Sequence, residues 1–432
     1  MTGTAALDVF YGEDLIGTVF DTEPLSFEYA QVWLGRVKPL HPFPLASIPL
    51  KPGRQAESHV QAFFENLLPE GEIRSYLSVQ RKASTLFSLL KEVAGDTAGA
   101  FVMVPQGQMP SSAQYERTSW EALANILKRK SAVAIQTQGE GARISLAGAQ
   151  DKATIAIFDG HTPMLAKGHA PSTHILKPDI RRLAKVRDSA ANEAIIMRAA
   201  KHCGLKTAEV FYEPLTRSCV VERFDRIKRP DGGLSRLIQY DLCQLAGTVS
   251  EKKYEKEGGP GIAACGQLIR LHSSRAALDL KALAQWVFFN IYVGNNDSHA
   301  KNLSVHVVPG EGIRLTPFYD LMCTRIYPGL SKEFAFNIGG EVLPGQMGYA
   351  QLSGLAQQLG MKPRYLGSLA QELAAQLPAA MDQAIEEIAP TLSAGSRTFA
   401  AHLGHEVKSI TKKAAARFQQ ITELPPSPSP SS

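Results

Sequence analysis

The stretch GNNDSHAKNLS (residues 294–304) follows the markedly apolar run WVFFNIYV (residues 286–293). A chain that means to bury eight residues then places an aspartate, a histidine, a lysine and three asparagines at their end. Polar groups at the end of a buried element are costly unless they are paired or used. Either they cap a helix or they carry chemistry, and that choice decides how the whole chain is read.

Within the stretch, Asp297 and Asn302 form D-x-x-x-x-N. Protein kinases use this spacing in the catalytic loop, where the aspartate accepts the proton of the substrate hydroxyl and the asparagine holds a magnesium ion. A chain of this length yields about one such pair by chance, and an Asx-turn after the apolar helix competes for Asp297. The signal grows with its neighbours. LTPFYDLMC places Asp320 after an apolar β-like run, eighteen residues beyond Asn302. There a second carboxylate would complete an oxygen-only magnesium site, which needs few protein ligands. Upstream, THILK ends a β-type run at Lys177, where a kinase keeps the lysine that pairs nucleotide phosphates. Glu193, near the start of a predicted helix, is spaced to orient it. Between two further β-type runs lies AGAQDK (Ala147, Gly148, Ala149, Gln150, Asp151, Lys152), a tight turn of small residues that lets backbone N–H groups approach phosphate oxygens. With one glycine it is neither a Walker A loop nor a G-x-G-x-x-G loop. Each signal is weak alone, but together they stand in kinase order.

The bulk composition permits this reading. The 432 residues exceed one hydrophobic core, so two or three lobes are expected. The net charge of +5 is mildly basic, which suits a polyphosphate ligand without identifying a nucleic-acid binder. Five scattered cysteines with no C-x-x-C pair argue for reduced thiols in a cytoplasm rather than a disulfide scaffold or zinc ribbon. The first residues show no secretory signal, and no apolar run is long enough to span a bilayer.

Along the chain, LDVFY and LIGTVF flank Gly12, Glu13 and Asp14 as a β-hairpin, and TLFSLLKEVAGD reads as a helix stopped near Gly95. PQGQMPSSAQ is a linker, and Thr118 in TSWE is expected to cap the helix ALANILKRK. RISLAG, KATIAIF, HILK, AEVFYEPL and SCVVERF read as strands, and ANEAIIMRAAKHCG as an amphipathic helix with a glycine stop. From about Tyr240 the pattern turns helical, and the Pro/Ser-rich tail is expected to be disordered. A β-rich half before a helical half predicts two lobes with a ligand cleft between them.

RISLAGAQDK, THILK, NEAIIMRAAKHCGL, VERFDR, YEKEGGPGI, GNNDSHAKNLSV and LTPFYDLMC, with NLLPEG and GDTAGA nearer the start, closely resemble the HipA family of serine/threonine kinases. These are the toxin halves of bacterial toxin–antitoxin pairs. The resemblance covers nearly the whole chain and fails only in the tail. It implies an α+β, two-lobed protein-kinase-like fold with an additional N-terminal β-rich subdomain (1–110), a β-rich small lobe (111–238), an all-helical C-terminal lobe (239–423) and the tail (424–432). It implies Asp297 as catalytic base, His299 and Lys301 in the catalytic loop near the phosphates, and Asn302 and Asp320 as magnesium ligands. Lys177 and the loop 147–152 would contact ATP phosphates. The hinge Glu222, Arg223 and Phe224 would read adenine, with Tyr319 also lining the nucleotide site. Ser145 matches a serine that family members autophosphorylate, an event that ejects the phosphate loop. A helix-turn-helix antitoxin of the HipB type is the implied partner, bringing the pair to operator DNA, and an aminoacyl-tRNA synthetase is the implied target. The segment PDIRRLAKVRDSAAN, which acts like an activation loop in the family, is shorter and more basic here than in some relatives.

Three other classes remain open. GNND, with FDGH (residues 158–161) and Gly95-Asp96, resembles the ligand motifs of metallophosphoesterases, although the order is wrong. A small-molecule kinase of aminoglycoside-phosphotransferase type shares D-x-x-x-x-N but not VERFDR or GGPG. A catalytically silent co-repressor of a DNA-binding antitoxin would keep the fold without the phosphate transfer.

Overall fold

The computed structural model describes residues 4–36, 43–68, 74, 83–93, 95–129, 135 and 151–419. Ser145, the loop residues Ala147, Gly148, Ala149 and Gln150, the RISLAG run and the tail lie outside the described residues.

The hairpin read at Gly12 is there. β1 (Ala6–Tyr11) and β2 (Asp14–Phe20) pair antiparallel, and with β3 (Ser26–Tyr29) and β4 (Phe101–Pro105) they form a sheet of order β3-β2-β1-β4. Helices α1 (Gln31–Leu34), α2 (Ser58–Glu65) and α3 (Leu86–Val93) accompany this subdomain. Its inward side chains belong to one continuous core with the helical lobe. Tyr240 is the joint, meeting Phe63 edge-on and stacking with Phe101 at a centroid distance of 6.2 Å.

The small lobe follows. β5 (Gln114–Arg117) leads into α4 (Trp120–Arg129), then β6 (Ala153–Ile155), β7 (Met164–Lys167), β8 (His174–Pro178), α5 (Ser189–His202), β9 (Val210–Glu213) and β10 (Ser218–Glu222). Its main sheet is antiparallel, in the order β6-β8-β10-β9. The period of two along β8 does the sorting. Leu176 and its partner Val220 face a separate small core with Leu123 and Leu127 of α4. Ile175 and Lys177, opposite Val221 and Cys219, take the other face. Two details depart from the sequence reading. The cap of α4 is Ser119, whose Oγ accepts from the Ala122 N–H at 3.2 Å, one residue after the expected Thr118. Helix α5 is buried on nearly every side, not amphipathic, because it is packed between the small-lobe sheet and the C-terminal helices.

A short ribbon, β11 (Arg226–Lys228) and β12 (Leu234–Arg236), leads to β13 (Gln239–Asp241), α6 (Leu242–Ala246), α7 (Ile262–His272) and α8 (Ala276–Val293). β14 (Ser304–Val308) pairs with β13 on one side and β15 (Gly312–Leu315) on the other, a three-stranded sheet inside the helical lobe, which is therefore helical but not purely so. α9 (Tyr349–Leu359), α10 (Pro363–Ile388) and α11 (Ala394–Gln419) complete it. The result is the α+β, two-lobed arrangement read from the sequence. Among the described residues no helix is long and apolar enough to cross a membrane.

Candidate active site

The apolar run is the C-terminal half of α8, and every residue from Trp286 to Val293 is buried. A helix apolar all round belongs in an interior; here α7, α10 and α11 enclose it. It stops at Gly294, φ +70°, where a Cβ would sit 3.0 Å from Arg325 Cβ and 3.1 Å from Ile410 Cδ1. Only glycine lets the chain leave the helix in this left-handed turn at such close quarters.

The polar turn that follows is bonded to itself and to the lobe. Asn295 Nδ2 donates to Asn290 Oδ1 at 2.7 Å, and the Asn296 N–H to Thr324 Oγ1 at 2.8 Å. Asn302 Oδ1 accepts from the His299 N–H at 3.0 Å, and its Nδ2 donates to Asp320 Oδ2 at 2.9 Å. Within this frame Asp297 is exposed while its neighbours are buried. The turn is rigid and presents one carboxylate.

Asp320 arrives from a different part of the chain. Phe318 exchanges hydrogen bonds with the strand-like segment at Lys206 and Ala208, which fixes the approach. Asp320 itself sits at φ +61°, an uncommon conformation for a residue with a side chain. Its Oδ1 accepts from Lys177 Nζ at 2.8 Å, and that ammonium also donates to Glu193 Oε1 at 2.5 Å. Glu193 thus orients the strand lysine, as its spacing implied. Burial works against the charge on Lys177, but Asp320 and Glu193 outweigh it and hold the ammonium well above the ordinary lysine range. Burial also opposes ionisation of Asp320, yet Lys177 and Lys152 prevail and keep its carboxyl well below the usual carboxylate range. Both groups are charged at neutral pH.

Asp297, His299, Lys301, Asn302, Asp320, Lys177 and Lys152 line one cleft of about 550 Å³ between the lobes. Its other wall is apolar: Ile175 and Val221 from the sheet, then Phe224 and Tyr319, whose rings lie 5.7 Å apart and tilted by 36°. Tyr319 is fixed by its hydroxyl, which meets Ser304 Oγ at 2.7 Å and donates to the Lys301 carbonyl at 2.9 Å. A flat apolar slot beside a cationic and anionic floor has the size and chemistry of a nucleotide site. Asp151 precedes β6 and does not line the cleft wall.

Two of the expected residues are engaged by distant parts of the chain. The Lys301 ammonium donates to Asn66 Oδ1 at 2.7 Å and to the Asn66 carbonyl at 3.0 Å, with Asp241 Oδ2 at 3.5 Å. It ties the catalytic loop to the N-terminal subdomain. The Arg223 guanidinium is buried against Asp96 and Asp225, in a network with Arg226 and Arg236. Its backbone N–H donates to the Thr173 carbonyl at 2.8 Å. Sequence reading missed Asn66, Asp241, the Asp96–Asp225 network and Tyr254, whose hydroxyl reaches Asp297. Asp96 and Asn66 stood within quoted motifs, but no local spacing marks a contact over a hundred residues away.

Asn302 and Asp320 meet at the cleft, the Asn302 Nδ2 donating to Asp320 Oδ2 while its Oδ1 accepts from the His299 N–H. An amide and a carboxylate side by side are the residue types that supply oxygens to a hard divalent ion that keeps several waters. The hydrolase alternative is overturned by geometry. Asp96 is engaged by three arginines and the Ser172 N–H, while Asp159 caps its own exposed turn through the N–H groups of His161 and Thr162. The two halves of that ligand set serve different structures.

Fold and cleft define the class: a two-lobed, kinase-like α+β protein. Residues 144–381 match the model of the HipA-like C-terminal domain, and residues 7–104 that of the HipA N-terminal domain. The serine/threonine-protein kinase toxin HipA of Shewanella oneidensis is 30% identical over 419 residues, covering 92% of this chain and 93% of that protein. Putative kinase Y4mE of Sinorhizobium fredii is 36% identical over 336 residues, covering 75% and 78%. The Shewanella HipA structure, solved with HipB and its operator DNA, superposes with a TM-score of 0.83 at 26% identity, covering 97% of this chain and 100% of that one. The chain belongs to the HipA family of kinases.

Proposed function

We propose that this chain is an ATP- and magnesium-dependent serine/threonine protein kinase that arrests growth. The observation that carries the reading is the convergence of Asp297, Asn302, Asp320 and Lys177 on one cleft. In this reading the adenine lies against Phe224 and Tyr319. Because the Arg223 N–H is committed to Thr173, backbone contacts to the base fall to the Glu222 carbonyl and the Phe224 N–H. Lys177, held charged by Glu193, leaves Asp320 to clamp phosphate oxygens. Asn302 and Asp320 would hold the magnesium ion, which neutralises developing phosphate charge. Asp297 accepts the proton of the seryl or threonyl hydroxyl as its oxygen attacks the γ-phosphorus and ADP departs.

Phosphate on Ser145 would add nearly two negative charges beside a loop meant for those of ATP, so autophosphorylation there switches the enzyme off. An aminoacyl-tRNA synthetase is the target class that the family resemblance supports. A HipB-type antitoxin and operator DNA are supported by the complex in which the Shewanella relative was solved. Five buried, unbridged cysteines accord with a reducing cytoplasm. The test is to incubate the protein with Mg-[γ-³²P]ATP and a cell lysate, then identify labelled proteins by mass spectrometry. Label on Ser145 and on a synthetase is expected; label on neither this chain nor any lysate protein overturns the reading.

A further inference from the structure

The run YEKEGGPGI (residues 254–262) carries the family resemblance but none of the chemistry above. In the fold its tyrosine has a definite contact. The Tyr254 hydroxyl donates to Oδ1 of Asp297 at 2.5 Å, and its ring stands edge-on to the His299 imidazole, with centroids 5.1 Å apart at 82°. Hydrogen bonds from a hydroxyl to a carboxylate are short and among the stronger ones. A phenol on two side-chain torsions makes a stiff arm with a donor at its tip.

The loop that carries Tyr254 is pinned on both sides. Before it, the N–H and Oγ of Ser250 donate to the two oxygens of the buried Glu65 carboxylate, both at 2.7 Å, and Asn66 Nδ2 donates to the Thr248 carbonyl at 2.7 Å. These anchors come from the end of α2 in the N-terminal subdomain. After it, the chain doubles back through Gly258 at φ +92°, and the Gly259 N–H returns to the Tyr254 carbonyl at 3.0 Å. A Cβ on Gly259 would lie 2.1 Å from the Lys252 carbonyl oxygen, and one on Gly261 would lie 2.4 Å from Glu255 Oε1. Glu255 is itself fixed, its Oε2 accepting from the Asn337 N–H at 2.7 Å. The glycines are therefore what allows so tight a bracket.

We propose that Tyr254 is a positioning residue for the catalytic carboxylate: the phenol holds Oδ1 of Asp297 and so sets the angle at which that carboxylate meets the acceptor hydroxyl, with the bracket's alignment set by Glu65 of the N-terminal subdomain. The inference rests on the kinase reading. The rival role, a phenol occupying the acceptor's place as a pseudosubstrate, requires the ring to leave at each turnover, and anchors on both sides oppose that. Through this bracket the N-terminal subdomain takes a part in catalysis: Glu65 holds Ser250, 185 residues away in sequence, and Ser250 leads into the loop of Tyr254.

The experiment follows single-turnover ³²P incorporation into the full chain from Mg-[γ-³²P]ATP, across a range of ATP concentrations. It compares wild type, Tyr254→Phe, Ser250→Ala and the double variant. Tyr254→Phe keeps the ring, and its melting temperature is expected to match wild type. Its limiting rate is expected to fall on the order of 10- to 100-fold, the loss of one hydrogen bond to a charged group, with half-saturating ATP unchanged within about twofold. Ser250→Ala is expected to lower the limiting rate less, in the same sense. The double variant is expected to be no slower than Tyr254→Phe, because Ser250 acts through the phenol. An unchanged or faster limiting rate in Tyr254→Phe overturns the inference, as does a change confined to half-saturating ATP, or losses that multiply in the double variant. A wild type that takes up no label overturns the kinase reading and this inference with it. A labelled wild type beside an unaffected variant overturns the inference alone.

Discussion

Two clusters of charge border the small lobe, both built around paired carboxylates and cations and put to opposite use. In one, Asp96 and Asp225 are surrounded by Arg223, Arg226 and Arg236, the Ser172 N–H and the Gly99 N–H. Their carboxylate oxygens are taken up by buried donors, and the network closes on itself between the N-terminal subdomain and the hinge. In the other, Lys177 and Glu193 are just as buried, but Asp320 remains 40% exposed and Asp297 stands out from its turn. The difference lies in where the oxygens point. A closed cluster fixes the relative placement of two pieces of chain, whereas an open one facing a cavity has lone pairs left for a ligand. The direction of the pKa shift alone would not separate them, since neighbouring cations hold down Asp96, Asp225 and Asp320 alike.

The comparison is sharpened most by Asp320→Asn. Phosphate transfer is expected to fall on the order of 10³-fold, the loss of a charged ligand to the magnesium ion, while the urea midpoint stays near wild type because Lys177 keeps Glu193. Next comes Asp225→Ala in the closed cluster. It leaves Arg223 and Arg226 short of a buried partner and is expected to cost about 3 kcal/mol of stability, read as a lower urea midpoint at unchanged slope. Activity that fell with no loss of stability would break the distinction.

Acid gives the third effect. Burial opposes ionisation of Asp96, but Arg223, Arg226 and Arg236 outweigh it and bring its carboxyl down to about 2. Its folded pKa lies below the unfolded one, so its stabilisation is complete above about pH 4 and is lost as the pH falls towards 2. The loss is roughly 2 kcal/mol for this group, measurable by urea titration at pH 5, 4 and 3. A flat profile would mean the cluster is not closed. The smallest effect belongs to Lys301→Met. If its ammonium serves the clasp on Asn66, stability should drop by about 1–2 kcal/mol and transfer should slow by less than tenfold in the single-turnover assay.

Much of the site was legible because a kinase-type cleft strings its reacting groups in short local signals. D-x-x-x-x-N, a lysine ending a strand and an aspartate after an apolar run each survive in one dimension, and the structure brings Asp297, Asn302, Lys177 and Asp320 to one cavity. What sequence could not show are contacts made by closure. Lys301 looks like a phosphate ligand until Asn66, 235 positions away, takes its ammonium. Arg223 looks like part of a hinge until Asp96 arrives from another subdomain. The strands β13 and β15 are three and four residues long, too brief for alternation to register inside a helical stretch. Helix α5 kept its length and glycine stop, but two packed layers overrode the polar face expected of it.

The cleft is tested most directly by measuring ATP binding and phosphate transfer side by side in wild type and Asp297→Asn. Because Asp297 is exposed and makes no part of the Lys177–Glu193–Asp320 clamp, the variant should bind Mg-ATP within about twofold of wild type while transferring phosphate at least about 10²-fold more slowly. Transfer at the wild-type rate by Asp297→Asn, or no Mg-ATP binding by either protein, would contradict the assignment.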